Sequence, residues 1–406
     1  MMRDFQEIFK LTMKQGQKRF RQIVSNDTCS QELCGFTELN GRILAEDLKA
    51  DRDLPPFNRV AMDGYACRRE DLNKPLPISG SVAAGSVPGI RVEPGTCVKV
   101  MTGAVLPEGA ELIVVVESTT VDASGRMVFH GSDRDKLNIN YSRQGEDVQA
   151  GQTVLRKGAI LSARHAALLA SIGMEKIPVI PLPRVGILST GNEVIDPAST
   201  PQIHQIRNAN APQLTSLLER LHITPANYGT IQDDLHSITE AVSRARDEND
   251  LVLMSGGVSM GDFDFVPKAM EAAGFRILYD RVAVKPGKPT TFAVSAGCDL
   301  FGLPGNPVSC FVIFEILVKP YLYRTMSALY EPPRIMAVMG ADFSRSKTAR
   351  EEWIPVAIRN DGTLVPVTYN GSGHYHAMAH ADGMILIEKG NSKIKKGTSV
   401  ALRLIS

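Results

Sequence analysis

Residues 251–265 read LVLMSGGVSMGDFDF, residues 282–294 read VAVKPGKPTTFAV, and residues 300–317 read LFGLPGNPVSCFVIFEIL. Each segment contains a strand-like apolar run and a turn rich in Gly and Pro, and helix-like sequence follows the first and third turns. This order is typical of the ligand-binding edge of a doubly wound α/β sheet. We therefore expect the rest of the chain to be organised around residues 251–307.

The first turn has the composition of an anion-binding loop. Its glycines let the backbone approach an anion closely, and its serines add hydroxyl groups to the backbone N–H groups. These residues are Ser255, Gly256, Gly257, Ser259 and Gly261. A helix that begins after Asp264 would direct its positive end toward the same place. The turn therefore predicts a site for a phosphate or another oxyanion.

Charged and rigid residues accompany this turn. Asp262 and Asp264 supply hard oxygen ligands, or an orienting pair, of the kind that a Mg²⁺ ion bridging phosphates needs. Lys285 and Lys288 bring two cations in the second turn. The third turn is stiffened by its prolines and consists of Pro304, Gly305, Asn306 and Pro307. A lone glycine-rich turn is more often structural, but this combination favours a binding site.

Length and charge restrict the class of protein. A chain of 406 residues should hold two to four domains. The net charge of +1 does not indicate a nucleic-acid-binding or membrane-binding surface, so small molecules are the expected partners. The six cysteines include no C-x-x-C pair, which is typical of reduced thiols. The sequence shows no export signal or membrane-spanning run, and we expect a cytoplasmic protein.

The sequence pattern changes several times along the chain. Helical spacing is found in residues 3–24, in TELNGRILAEDLKAD (37–51) and in LSARHAALLASIG (161–173). Short alternating runs from 76 to 142 predict an inserted β-rich domain. Strand and helix patterns alternate after Pro183, which predicts a mostly parallel sheet, and the apolar helix from Val308 should end before Pro320. Strand patterns return after Pro332 and predict a small antiparallel barrel or sandwich.

Several polar residues lie at predicted strand ends or turns, where a structural interpretation competes with a functional one. Thr190, Asn192 and Glu193 follow the first strand of the α/β region. Either Asp233 or Asp234 is expected to cap the next helix. Three histidines, His374, His376 and His380, could suggest zinc, but no Cys or acidic group completes such a site, and exposed histidines in a turn are the better interpretation.

Eight motifs occur in one order along nearly the whole chain: PPFNRVAMDGYA, VMTGAVLPEGA, RQGEDV, GILSTGNEV, SGGVSMGDFDFV, VKPGKPTTFA, GLPGNPVS and GSGH. Together they resemble the molybdopterin molybdenumtransferases, the family of MoeA and the gephyrin E domain. The resemblance implies an elongated homodimer. It also implies a helical linker domain (1–50 and 145–180), an inserted β domain (51–144), a MogA-like doubly wound α/β domain that binds molybdopterin (181–326) and a C-terminal β-barrel (327–406).

The resemblance also implies an activity: molybdenum from molybdate is inserted into adenylylated molybdopterin, with Mg²⁺ and release of AMP. The glycine turn with Lys285 and Lys288 would hold phosphate groups, LPGNP would shape the pterin pocket, and Asp262, Asp264 and Glu193 would engage the metal. The family's acids and threonine map onto Asp63, Thr102, Asp147, Glu193, Asp234 and Asp264. A molybdopterin adenylyltransferase and acceptor molybdoenzymes are the implied protein partners.

The loop before Asp63 departs from the family pattern. The family usually has Asp, Asn and Ser where this chain has Asn58, Arg59 and Val60, and it usually has Ser or Thr where this chain has Ala209. The loop substitutions change the local charge by two units, which could favour an anionic substrate and ionised Asp63, or could disable a catalytic step. Three hypotheses follow: an active molybdenum insertase, an impaired paralogue that binds or scaffolds the precursor, and a tungsten-inserting enzyme.

Overall fold

The computed structural model of the protein describes residues 4–26, 32–131, 136–257, 265–328, 330–333, 335–367 and 375–405. The predicted site residues Ser259, Gly261, Asp262 and Asp264, and also His374, lie outside the described residues. The chain forms two compact units. The larger unit consists of Met1–Ala45, Gly158–Ser162 and Lys176–Ser406, and the smaller unit of Glu46–Lys157 and Ala163–Glu175. The finer division into four domains remains a prediction.

The helices confirm most of the predicted helical segments. In chain order they are α1 (Phe5–Asn26), α2 (Ala163–Ser171), α3 (Asn210–Glu219), α4 (Leu235–Glu248), α5 (Val266–Ala272), α6 (Pro307–Ile313) and α7 (Lys319–Thr325). Single 3₁₀ turns are found at Phe36–Glu38, Arg69–Asn73, Val116–Ser118 and Tyr375–His380. No helix of the described part of the chain has the length and apolarity needed to cross a membrane.

Two helix predictions were wrong. Residues 37–51 form no α-helix, because Gly41 has a φ of +80° and the backbone N–H groups of Gly41 and Leu44 donate to Leu161 and Ala159 instead of to carbonyls in their own turn. The helix of residues 307–325 does not end before Pro320. It passes through a π turn, Phe314–Val318, into α7, and the wider turn accommodates the proline ring and its missing N–H.

The strands are short outside the central sheets. In chain order they are β1 (Glu32–Cys34), β2 (Leu48–Lys49), β3 (Arg59–Val60), β4 (Gly64–Cys67), β5 (Leu76–Val82), β6 (Cys97–Val100), β7 (Leu112–Val115), β8 (Thr119–Val121), β9 (Arg126–Phe129), β10 (Tyr141–Ser142), β11 (Thr153–Leu155), β12 (Ile177–Val179), β13 (Val185–Thr190), β14 (Val194–Ile195), β15 (Ile206–Arg207), β16 (Ala226–Ile231), β17 (Leu251–Ser255), β18 (Arg276–Tyr279), β19 (Val284–Lys285), β20 (Thr291–Val294), β21 (Asp299–Leu303), β22 (Ile335–Val338), β23 (Phe343–Ser344), β24 (Glu351–Ile358), β25 (Leu364–Pro366), β26 (Gly383–Ile387), β27 (Lys393–Ile394) and β28 (Ser399–Leu404).

The larger unit is built on a sheet with the order β16-β13-β17-β21-β20-β18. Its first four strands are parallel, and β20 and β18 are antiparallel to their neighbours. Along β17, Leu251 and Leu253 face the core that includes α3 and α6, while Val252 and Met254 face the core that includes α4 and α5. Helices therefore cover both faces of the sheet, which confirms the predicted α/β fold.

The C-terminal part of the chain is rich in strands, as predicted. Strands β24, β26, β28 and β22 pair antiparallel in this order around a small apolar core. Strand β19, which belongs to the second glycine turn, pairs parallel with β24 of this sheet. In the smaller unit, the predicted β region forms a sheet with the order β7-β4-β6-β5-β9-β8.

A buried polar network joins α1 to the central sheet. Asp299, which is fully buried at the start of β21, pairs with the buried Arg19 of α1 and accepts a hydrogen bond from the hydroxyl group of Tyr321. Gln15 donates to the same carboxylate at 3.1 Å. Burial raises the pKa of Tyr321 well above its ordinary value, so its hydroxyl group stays protonated and donates.

Asp299→Ala should lower the free energy of unfolding of the larger unit by about 3–5 kcal/mol, because it leaves the buried guanidinium of Arg19 without its counter-charge. Urea denaturation followed by circular dichroism measures this loss. The control is Asp280→Ala, which removes an exposed carboxylate and should leave unfolding unchanged. A loss below about 1 kcal/mol for Asp299→Ala would show that the network is not needed for stability.

Candidate functional site

A cavity of about 730 Å³ opens where β13, β17 and β21 end. These strands are parallel neighbours, so their carboxyl ends meet at one edge of the sheet, as expected for a doubly wound fold. The cavity is lined by Ser189, Thr190, Gly191, Glu193, Val194, Pro201, Ile206, Arg207, Asn208, Ala209, Asn210, Asp233, Ser255, Gly256, Gly257, Pro289, Gly305, Asn306, Pro307 and Tyr375.

The buried amide of Asn208 holds the edge of the cavity together. Its Nδ2 atom lies 3.0 Å from the Oγ atom of Ser189 at the end of β13 and 3.3 Å from the Oγ1 atom of Thr230 in β16. The Oγ atom of Ser189 lies 3.1 Å from that of Ser255, at the end of β17. The Oδ1 atom of Asn208 accepts a hydrogen bond at 3.1 Å from the N–H group of Ala211, which lies in the first turn of α3. Asn208 therefore joins β13 and β16 to the start of α3, and Ser189 extends this network to β17.

The two glycines after β17 form the floor of the cavity, and only glycine fits there. Gly256 and Gly257 have φ angles of +93° and +61°. A Cβ atom at 256 would lie 2.5 Å from the carbonyl oxygen of Thr190, and one at 257 would lie 2.5 Å from a methyl group of Val266. Such short distances force the surrounding backbone to shift. The third turn packs directly against this floor, because a Cβ atom at Gly305 would lie 3.7 Å from the Cα atom of Gly256.

Polar atoms without partners surround the floor. The Oγ1 atom of Thr190 and the Oδ1 atoms of Asn210 and Asn306 are buried and have no hydrogen-bond partner among the described residues. Leaving a buried polar group unpaired costs about 1–3 kcal/mol, so three such atoms in one cavity indicate a site that is completed by a polar ligand.

The charged residues of the cavity are mainly acidic. Glu193 and Asp233 line it together with one cation, Arg207. In the described ranges, no group of three His, Cys, Asp or Glu side chains could by itself hold a metal ion. Mg²⁺, however, usually takes one or two carboxylates together with the phosphate oxygens of a substrate. The oxygen donors at the cavity, Glu193, Asp233 and Thr190, fit this kind of site.

The structure brings many of the predicted site residues together in the cavity, namely Glu193, Ser255, Gly256, Gly257, Gly305, Asn306 and Pro307. Pro304, Asp234, Lys285 and Lys288 do not line it. Asp234 caps α4, since its Oδ1 atom accepts from the N–H group of Ser237 at 2.8 Å. This contact also lowers the pKa of Asp234. The capping interpretation is confirmed for Asp234, and Asp233 is the member of the pair that lines the cavity.

Lys285 has a counter-charge in the C-terminal sheet. Its Nζ atom lies 2.6 Å from an oxygen of Glu352, which is 3% exposed, and the second oxygen of Glu352 lies 3.2 Å from Arg345. Lys288 is exposed. Of the three histidines, His376 and His380 are exposed and lie in a 3₁₀ turn with ring centroids 4.9 Å apart, which confirms the interpretation of exposed histidines in a turn for these two residues.

Two further predicted residues meet in the smaller unit. The backbone N–H and the hydroxyl group of Thr102 both donate to the Oδ1 atom of Asp63, at 2.7 and 2.8 Å. These hydrogen bonds, the backbone one first, lower the pKa of the exposed Asp63, and the charge of Lys99 adds a smaller contribution. Asp147 lies in the exposed turn after Gly145. Asp63 is therefore an ionised, oriented carboxylate.

The altered loop before Asp63 is well accommodated. The Oδ1 atom of Asn58 accepts from the N–H group of Gln144 at 2.9 Å, Arg59 is exposed, and Val60 is 1% exposed in the apolar core of the smaller unit. Arg59 does not contribute to the lowered pKa of Asp63. The expectation that this charge keeps Asp63 ionised is thus wrong, because Thr102 and Lys99 act instead.

Sequence reasoning missed part of the cavity, above all Asn210 and Asp233. Asn210 is not among the residues predicted for the site, and Asp233 is predicted only as one of two possible helix caps. Both side chains reach the cavity through tertiary packing of α3 and of the β16–α4 turn, for which a single sequence gives no periodic signal. A local signal could have identified both residues, because each lies at or just before the start of a helix and near the end of a strand.

Three family descriptions match consecutive parts of the chain: "MoeA N-terminal region (domain I and II)" at residues 11–173, "Probable molybdopterin binding domain" at 186–324, and "MoeA C-terminal region (domain IV)" at 337–405. The molybdopterin molybdenumtransferase of Staphylococcus epidermidis is 35% identical over 370 residues, which are 89% of this chain and 88% of that protein. The chain belongs to the molybdopterin molybdenumtransferase (MoeA) family. The enzyme of the same name from Staphylococcus aureus is also 35% identical, over 372 residues, with the same coverage.

Solved structures of this family agree with the fold. The molybdopterin biosynthesis MoeA protein of Pyrococcus horikoshii has a TM-score of 0.82 and 28% identity, with all of both chains covered. A molybdenum cofactor biosynthesis protein of Pyrococcus furiosus has a TM-score of 0.61 at 19% identity and also covers both chains fully. The second similarity concerns the fold alone.

Thr102→Val should raise the pKa of Asp63, since the hydroxyl group that stabilises the ionised carboxylate is removed while the backbone N–H remains. The lowered pKa of Asp63 stabilises the fold above the pKa of the unfolded chain, and this contribution is lost as pH falls through the folded pKa. A ¹³C NMR titration of labelled aspartate carboxyl groups measures the change. Thr96→Val, whose hydroxyl donates to the carbonyl of Glu93, is the control. An unchanged pKa of Asp63 would contradict the assignment.

Proposed function

We propose that this chain catalyses the molybdenum insertion step of molybdenum cofactor biosynthesis: it transfers molybdenum from molybdate to adenylylated molybdopterin and releases AMP. The observation that supports this most directly is the cavity at the sheet edge, where a glycine floor lies beside three buried, unpaired polar atoms. The names of the curated relatives support the same activity.

The residues of the cavity have separate tasks in this proposal. The backbone at Gly256 and Gly257 approaches the phosphoanhydride closely, Ser255 adds a hydroxyl group, and the third turn bounds the pterin. Since Glu193 and Asp233 would repel the anionic substrate, a divalent cation is needed between them. Mg²⁺ bound by Glu193, with Asp262 and Asp264 as further candidates, would neutralise charge on the leaving AMP.

The smaller unit takes part through Asp63. Its carboxylate is exposed and oriented by Thr102. In the homodimer that we propose, Asp63, Thr102 and Asp147 of one subunit act on substrate held by the α/β domain of the other. We also propose that Lys285, Lys288 and Asp234 make further contacts with the substrate. A cytoplasmic molybdopterin adenylyltransferase would deliver the substrate, and molybdoenzymes would receive the product.

The activity is tested with purified protein, adenylylated molybdopterin, molybdate and MgCl₂, and AMP is quantified by chromatography. We expect release of AMP that EDTA abolishes. Glu193→Gln should raise the Mg²⁺ concentration for half-maximal rate by roughly tenfold or more, because a charged ligand is lost. Glu240→Gln, an exposed carboxylate of α4, is the matched control and should behave as wild type. AMP release no faster than in a protein-free sample would refute the proposal.

Asn58→Asp/Arg59→Asn tests whether the unusual loop disables the enzyme. The aspartate retains the acceptor for the N–H group of Gln144. Val60 is left unchanged, because a buried hydroxyl without a partner would cost about 1–3 kcal/mol. We expect the double variant to fold normally and to release AMP within about threefold of the wild-type rate. A gain of a hundredfold would instead indicate an impaired paralogue that binds or scaffolds the precursor. Tungstate in place of molybdate tests the third possibility.

A further inference from the structure

Asn210 presents a hydrogen-bond acceptor whose orientation is fixed by the protein. The residue is 6% exposed and is the first residue of α3. Its Nδ2 atom donates to the carbonyl oxygen of Gly305 at 2.8 Å. A backbone carbonyl can only accept, so the nitrogen of the amide must face Gly305. The Oδ1 atom therefore points away from Gly305, and it is buried without a partner among the described residues.

A second unpaired amide oxygen belongs to another residue that lines the cavity. Asn306 follows Gly305 directly and occupies the N-cap position of α6, but its side chain makes no capping hydrogen bond. Its Oδ1 atom is buried and unpaired, like that of Asn210. Both residues line the cavity. This side of the cavity therefore contains two buried amide oxygens without a partner among the described residues.

The acceptors restrict the chemistry of the ligand at this position. Amide oxygens carry partial negative charge, so they disfavour phosphate or molybdate oxygens and favour N–H groups. The pyrimidinone edge of a pterin carries two adjacent donors, the ring N3–H and the 2-amino group. Adenine carries one amino group, and ring acceptors lie on both sides of it. Two acceptors on residues of one cavity match the two donors of the pterin edge better than the single amino group of adenine.

We propose that Asn210 determines specificity for the pterin: its Oδ1 atom, together with that of Asn306, accepts hydrogen bonds from the pyrimidinone edge. This inference rests on the proposed function and adds a residue and a binding orientation to it. The pterin lies against Asn210 and the third turn, and the phosphate groups extend from there toward Gly256 and Gly257.

The test measures binding without turnover. Three probes are titrated by calorimetry into the full-length protein: 6-hydroxymethylpterin, 6-hydroxymethyllumazine, in which a carbonyl replaces the 2-amino group, and AMP. Wild-type protein should bind the pterin about tenfold or more tightly than the lumazine, since the lumazine carbonyl faces an acceptor. Asn210→Ala should weaken pterin binding about tenfold or more and remove the preference, while the affinity for AMP stays within about twofold.

Gln213→Ala is the matched control, because this amide lies one turn further along α3, is also buried with an unpaired oxygen, and does not line the cavity. It should retain the preference for pterin. AMP affinity also reports that the variant site is folded. The inference is overturned if wild type binds no pterin or does not discriminate against lumazine, if Asn210→Ala retains the preference, or if that variant loses AMP affinity instead. AMP release is measured separately, so failure of the insertion assay leaves these outcomes interpretable.

Discussion

The hydrogen bonds of one buried amide, that of Asn208, are the constraint on which the cavity depends. Backbone pairing aligns the ends of strands β13, β16 and β17, and Asn208 and the Ser189–Ser255 contact add side-chain hydrogen bonds between these ends. The N-cap of helix α3 is Ala209, which has no side-chain oxygen, and Asn208 supplies the acceptor for the N–H group of Ala211 instead. The same contact sets the direction of α3, and it thereby places the next residue, Asn210, against Gly305.

The charged side chains that line the cavity are not balanced. Its acids are not matched by an equal number of cations, and Lys285, which sequence reasoning assigned to the substrate, already has Glu352 as counter-charge. Glu352 is in turn held by Arg345, so the lysine is fixed to the C-terminal sheet through both its ion pair and the pairing of β19 with β24. The two lining carboxylates, Glu193 and Asp233, therefore outnumber the one lining cation among the described residues, Arg207.

Much of the fold could be predicted because its signals are local. The alternation of apolar strands with helices after Pro183 and the glycines after β17 led directly to the α/β sheet and its binding edge. The helix prediction for residues 37–51 was wrong because contacts with a distant segment outweigh the local sequence pattern. These residues have helical spacing, but their backbone pairs with residues 158–161. Asn210 was missed for the same reason, since its significance depends on the carbonyl of Gly305, 95 positions later. Sequence also cannot tell that Lys285 meets Glu352.

The unusual loop before Asp63 contains three substitutions of different physical kinds. Val60 packs in the apolar core of the smaller unit, at the position where the family usually has the polar residue Ser. Asn58 preserves the acceptor that Gln144 needs, so it changes charge but not the contact. Arg59 alone adds an exposed cation, and the ionised state of Asp63 does not depend on it, because Thr102 and Lys99 lower that pKa. The charge of Arg59 contributes to the lowered pKa of Glu146, and it is also exposed to a molecule that approaches Asp63. An anionic substrate is the partner that such a change would favour.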